Sequence, residues 1–115
     1  MRGEYSEKKL FEAVFTLATG SGTLRERLAG AAQHLIRLSV NAAYHFPDEE
    51  TAKECRGIIE DLTIFEPEFA DEGKIDATAR NLIDHDAHAI AKRIVELHAK
   101  IQRLNSEASR ESSAG

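Results

Sequence analysis

Apolar residues recur along most of the chain at the three-and-four spacing of buried helix faces. Leu10, Phe11, Val14, Phe15, Leu17 and Ala18 make the first such stripe. Ser6 stands where an N-cap is wanted and Gly20 where a left-handed stop is wanted, so the spacing predicts a helix over 7–19 after a short polar lead. Beyond a Ser21-Gly22 link, Thr23-Leu24-Arg25-Glu26 reads as a capping box. Leu24, Leu28, Ala31, Ala32, Leu35, Ile36 and Leu38 then carry a second helix from residue 24 to at least residue 38. Residues 40–45 either extend it or form a loop, and Pro47 forces Phe46 towards the extended region.

Asp48 is placed to cap a third helix, with Glu49 and Glu50 at the positive end of its dipole. Its stripe is Ala52, Cys55, Ile58, Ile59 and Leu62, and it should end near Thr63. Residues 64–74, interrupted by Pro67 and Gly73, form the longest irregular segment, with Phe65 and Phe69 expected to anchor it in the core. A short helix follows from Ile75 to about Ile83. Asp84 is the expected N-cap of a last helix whose Ala87, Ile90, Ile94, Leu97, Ile101 and Leu104 alternate spacings of three and four. Residues 105–115 are small and polar and should be frayed or disordered. The prediction is one all-α domain over 1–104, an antiparallel four-helix bundle with a short extra helix before the last long one. Phe11, Phe15, Leu28, Leu35, Cys55, Ile59 and Leu62 are expected to be buried.

Composition narrows the class. At 115 residues the chain is one domain long, and 42% hydrophobic with 30% charged residues is too apolar for a disordered protein. A single cysteine excludes an internal disulfide framework and a cysteine-based zinc cage. No apolar run approaches the ~20 residues of a membrane span, and the start lacks the apolar stretch of a signal peptide. A cytoplasmic protein is expected, with no membrane partner.

Charge is uneven. Between Asp48 and Asp76 eleven acids face three bases, a local −8, while the rest of the chain carries +3 within a net charge of −5. Nucleic acid demands a concentrated basic face, so it is not an expected partner. The asymmetry suits either head-to-tail pairing with another copy or simply solvated helix faces.

Three groups of side chains invite a chemical reading. Asp84-His85-Asp86-Ala87-His88 puts two imidazoles three residues apart with Asp84 four before His88, neighbours on one helix face. Asp84, His85 and His88 could begin a metal site, although nothing in the sequence nominates the further ligands it would want from another helix; the same residues also fit an acidic first turn with solvated imidazoles. Cys55 lies on an apolar stripe and reads as a small core hydrophobe. Gly20-Ser21-Gly22 lacks the length and the lysine of a phosphate loop and reads as a turn between helices. No cofactor is expected.

Arg80-Asn81-Leu82-Ile83-Asp84-His85 is similar to the arginine–four residues–histidine motif of HEPN-domain ribonucleases, small all-α proteins of toxin and phage-defence systems. That resemblance implies His85 in acid–base work and Arg80 stabilising the transition state, with Asn81 at the polar position after the arginine and the two catalytic groups meeting across a dimer. A longer series of segments is similar to a group of short bacterial all-helical proteins with no assigned activity. It runs through Leu17–Gly20, Gly22–Leu28, Pro47–Glu49, Leu62–Thr63, Asp71–Gly73, Ala77–Arg80, Ala87 and Ile94–Leu97.

The leading functional expectation is a protein-interaction module without enzymatic activity that first binds itself. The expected homodimer uses Ile94, Leu97, Ile101 and Leu104, because the final stripe extends ~26 Å whereas a helix over 7–19 reaches only ~20 Å. A monomer whose other helices cover that stripe is the alternative, and a ribonuclease using Arg80 and His85 is the second functional reading.

Overall fold

The first helix, α1 (Arg2–Thr19), begins well before the predicted Glu7. Ser6 therefore lies inside the helix and does not cap it; its buried hydroxyl donates to the Gly3 carbonyl at 2.9 Å. The computed structural model describes the backbone of residues 2–114 and the side chains of residues 3–111. Met1 and Gly115, the ends of the expected polar lead and tail, lie outside the described residues.

Gly22, at φ +94°, takes the left-handed conformation that turns the chain out of α1. Helix α2 (Leu24–Gln33) then opens on the predicted capping box: Thr23 Oγ1 accepts from the Glu26 amide while Glu26 accepts from the Thr23 amide. It does not run on to Leu38. The His34 and Leu35 amides fall back to Ala31 and Ala32, a three-residue closure that tightens and ends the helix. Two short pieces follow, α3 (Ile36–Val40) and α4 (Ala42–His45). These turns deliver Phe46, extended before Pro47 as its neighbour requires, into the core with no exposed surface.

Helix α5 (Glu49–Asp61) is capped by Asp48, whose carboxylate accepts from the Thr51 amide at 2.8 Å. Helix α6 (Lys74–Asn81) follows the irregular 64–73 segment. That segment is not anchored by its phenylalanines, since Phe65 and Phe69 are both exposed. Its ties are polar: the Phe65 amide donates to the buried Thr78 hydroxyl at 2.9 Å, and Arg80 binds Glu72.

The last helix, α7 (Asp84–Ala114), is 31 residues long, ~46 Å by its rise, and sets the 54 Å long axis of the molecule. Residues 105–114 continue it and are not the expected disordered tail. Contacts of Gly3 with Asn105 and of Phe11 with His98 show that α1 and α7 run antiparallel. Contacts of Arg93 with Asp61 and of Lys100 with Glu54 show the same for α5 and α7. Among the described residues the structure is all-helical, with no strand and no helix long and apolar enough to cross a membrane.

The core lies between α1, α2, α5 and α7. Leu10, Ala13 and Leu17 meet Leu28, Ala32, Leu35, Leu38, Cys55, Ile58 and Leu62, closed over by Ile90, Ile94, Leu97 and Ile101. Two expected core residues are absent from it. Phe11 and Phe15 are 55% and 57% exposed, because α1 turns its Leu10–Ala13–Leu17 face inward. Ile59 is only partly buried at the core's edge.

Candidate functional site

Arg80 occupies the last turn of α6, where one edge of its guanidinium is paired. Its Nε and Nη2 donate to the two oxygens of Glu72 at 3.0 and 2.9 Å, Glu68 lies 3.9 Å away, and the group stacks over the Phe69 ring at 5.0 Å. The Arg80 hydrogen bonds hold the Glu72 carboxyl below its ordinary range. This fork-to-carboxylate pair fixes the 64–73 segment and leaves the guanidinium directed at acids of its own chain.

His85 and His88 are exposed on the first turns of α7. Asp84 does not cap that helix: the Ala87 amide donates to the Ile83 carbonyl at 3.0 Å, and the Asp84 carboxylate accepts from Arg25 at 2.8 Å. Asp84 is thereby committed to α2. Among the described residues no three His, Cys, Asp or Glu side chains gather as a metal-holding group.

The stripe expected to carry the dimer is internal. Ile94, Leu97 and Ile101 are at most 1% exposed and Leu104 is half-buried, because the longer α1 reaches back along α7 as far as Asn105. Three acids of the acidic stretch are answered from α7. Lys100 bridges Glu50 and Glu54 at 2.8 and 2.9 Å, and Arg93 meets Asp61 at 2.6 Å. Cys55 is buried, and desolvation pushes its thiol up to about 12, far from a reactive thiolate.

The surface feature left over is the outer ridge of α1. Phe11 and Phe15, one helical turn apart, project from it with ring centroids 6.1 Å apart. On the α7 side Phe11 packs against His98 at 6.0 Å, and the half-exposed Val95 lies one turn before His98 on the same face. The His98 Nε2 is buried without a hydrogen-bond partner, and burial lowers the imidazole's pKa. On the α2 side Phe11, Glu12, Phe15, Thr16 and His34 line a groove of about 230 Å³.

The floor of that groove holds a carboxylate–imidazole–hydroxyl series. Glu12 Oε2 is 3.2 Å from His34 Nδ1, and His34 Nε2 is 3.4 Å from Thr16 Oγ1. The order matches a nucleophile, base and orienting acid, but two features oppose catalysis. Thr16 already donates its proton to the Glu12 carbonyl at 3.0 Å. Its position deep inside α1 leaves the surrounding amides bonded in the helix, so none can hold an oxyanion. Glu12 also receives Lys9 at 3.2 Å, which, ahead of its other neighbours, keeps the carboxyl low. The series ties α1 to the end of α2 and supplies polar contacts beside two exposed rings.

Sequence periodicity missed this site because both phenylalanines fit a helical stripe equally well. The available signal was the excess: seven apolar residues between 10 and 18 are more than one buried face of that length requires. Comparison of the chain with protein-family models, with curated proteins and with solved structures gives no match.

Proposed function

We propose that the chain is a protein-interaction module, arranged as an antiparallel four-helix bundle of α1, α2, α5 and α7, that docks a partner through the outer ridge of α1. The observation that carries this reading is the exposed Phe11–Phe15 pair beside an apolar groove. Aromatic side chains are enriched at protein interfaces and supply large contact area at small entropic cost, whereas an isolated surface phenylalanine needs no explanation. Two adjacent rings flanked by Val95 form a contiguous patch of the kind that marks interaction sites.

A non-enzymatic role accords with the state of the candidate chemistry: Arg80 is paired, Asp84 is paired, and Cys55 is buried. A cytoplasmic place is part of the same reading and accords with a buried thiol as the one cysteine. Replacing Phe15 by the photo-reactive benzoylphenylalanine and irradiating producing cells tests it. A discrete protein adduct is expected at position 15 and none at the exposed control position Glu60. No adduct at position 15, or equal adducts at both, would remove the α1 ridge as a docking face.

A further inference from the structure

We infer that the occupant of this face is a second copy of the same chain, related by a two-fold axis, with a ring of each Phe11–Phe15 pair seated in the α1–α2 groove of the other. This rests on reading the α1 ridge as a docking face. Shape supplies the first argument. Knob and hole lie on the same helix, so one copy presents what the other receives, as an isologous contact requires. The groove of about 230 Å³ exceeds the ~150 Å³ apolar cavity that takes a benzene ring.

Charge supplies the second. Arg2, Lys8 and Lys9 balance Glu4, Glu7 and Glu12 in α1, and five bases balance five acids in α7. Both helices of the face are therefore formally neutral, and the whole net charge of −5 resides in residues 20–83. Two copies approaching through α1 and α7 bring together their neutral sides and keep their acidic sides apart. The other exposed apolar group, Ile64, Phe65 and Phe69, sits inside the −8 segment, where a second copy would be repelled.

Area supplies the third. Helix α1 is ~27 Å long, and with one neighbour it presents a strip ~20 Å wide, a footprint of ~540 Å² per copy. Two footprints together approach the ~1,200 Å² at the lower edge of stable specific interfaces. An interface of that size suits a weak, reversible dimer.

Sedimentation equilibrium of the full chain, wild type and separately Phe11→Ser, Phe15→Ser and Val95→Glu, decides the matter. All three positions of change are on the surface, and circular dichroism checks that each variant keeps the wild-type helix content. The expected result is a wild-type dimer below ~100 µM and at least a tenfold rise in Kd for each variant. The adduct at position 15 should then have twice the chain's mass. A monomeric wild type whose position-15 adduct contains a different protein overturns the second copy while leaving the docking face intact. A monomeric wild type with no adduct overturns both. A dimer indifferent to all three substitutions overturns the inference and moves the dimer contact elsewhere.

Discussion

The Asn105 side-chain amide reaches from α7 to the Gly3 carbonyl at 2.9 Å and also meets Glu7 Oε1 at 2.9 Å. This pairing of residues 102 positions apart fixes how far α1 extends along α7 and so decides which apolar residues remain open. Asn105 is 8% exposed, and a Cβ at Gly3 would overlap its Oδ1. Asn105→Ala removes both hydrogen bonds at once, the one to Glu7 being to a charged group, and should cost about 1–3 kcal/mol in urea unfolding, although the Gly3 carbonyl keeps the Ser6 hydroxyl. Gly3→Ala should destabilise too, through the overlap. A change below ~0.5 kcal/mol for Asn105→Ala, the level of a surface substitution, would mean that α1 does not hold its first turn against α7.

Two phenylalanines offer opposite outcomes for the same substitution. Phe46 has no exposed surface, so Phe46→Ala should cost about 3–5 kcal/mol, the usual loss for a buried aromatic. Phe15 is 57% exposed, so Phe15→Ala should cost about 1 kcal/mol or less while weakening self-association. Denaturant midpoints measured at one low protein concentration separate the two effects. Equal losses for both variants would restore Phe15 to the core.

Much of the helical order was legible because its signals are local. The capping box at Thr23, the Asp48 cap and the a/d stripe of α7 each depend on a few neighbouring residues, and each lies where the spacing puts it; α1 does end before Gly20, but the left-handed turn expected there is taken by Gly22. The break at His34 has no such signal: the apolar period runs unbroken from Leu28 to Leu38, and the turn serves to bring Leu38, Ala42 and Phe46 into the core. The face of α1 was ambiguous for a related reason. Leu10–Ala13–Leu17 and Phe11–Phe15–Ala18 are both helical stripes, and the choice between them is made by α2 and α7. Arg80 shows the limit for chemistry. Its spacing to His85 is a sequence fact, but its carboxylate partners Glu72 and Glu68 come from a segment without regular structure.

The Asp48 cap gives stability a defined pH dependence. Its carboxylate accepts from both the Thr51 amide and the Thr51 hydroxyl at 2.8 Å, the backbone bond foremost in holding its pKa below the ordinary ~3.9. A lowered folded-state pKa gives stabilisation that is complete above the unfolded value and disappears as pH falls through the folded one. Asp48→Ala should therefore cost about 1 kcal/mol at neutral pH and much less at pH ~2. Asp48→Asn, which can still cap, should lose less at neutral pH and remove the acid dependence belonging to this site. An Asp48→Ala cost that stays constant from pH 7 to pH 2 would show that the carboxylate is not the capping group.

Charge placed on the α7 stripe distinguishes a core from an interface. Ile101 has no exposed surface and lies within the apolar cluster that includes Leu97, Ile94 and Leu10. Ile101→Glu would bury an unpaired carboxylate, so the side chain must either take up a proton or force the helices apart. Either outcome removes several kcal/mol, a large part of the ~5–15 kcal/mol that holds a typical domain together. The expected result at neutral pH is loss of cooperative unfolding or a strongly lowered midpoint, with partial recovery as acid neutralises the new carboxyl. Were the stripe an interface between copies, the variant would instead remain a well-folded monomer with a near-native midpoint at low concentration. Thermal unfolding followed by circular dichroism, run beside sedimentation on the same samples, reads both quantities. A folded, monomeric Ile101→Glu variant would return the final helix to the dimer contact and withdraw the α1 ridge from it.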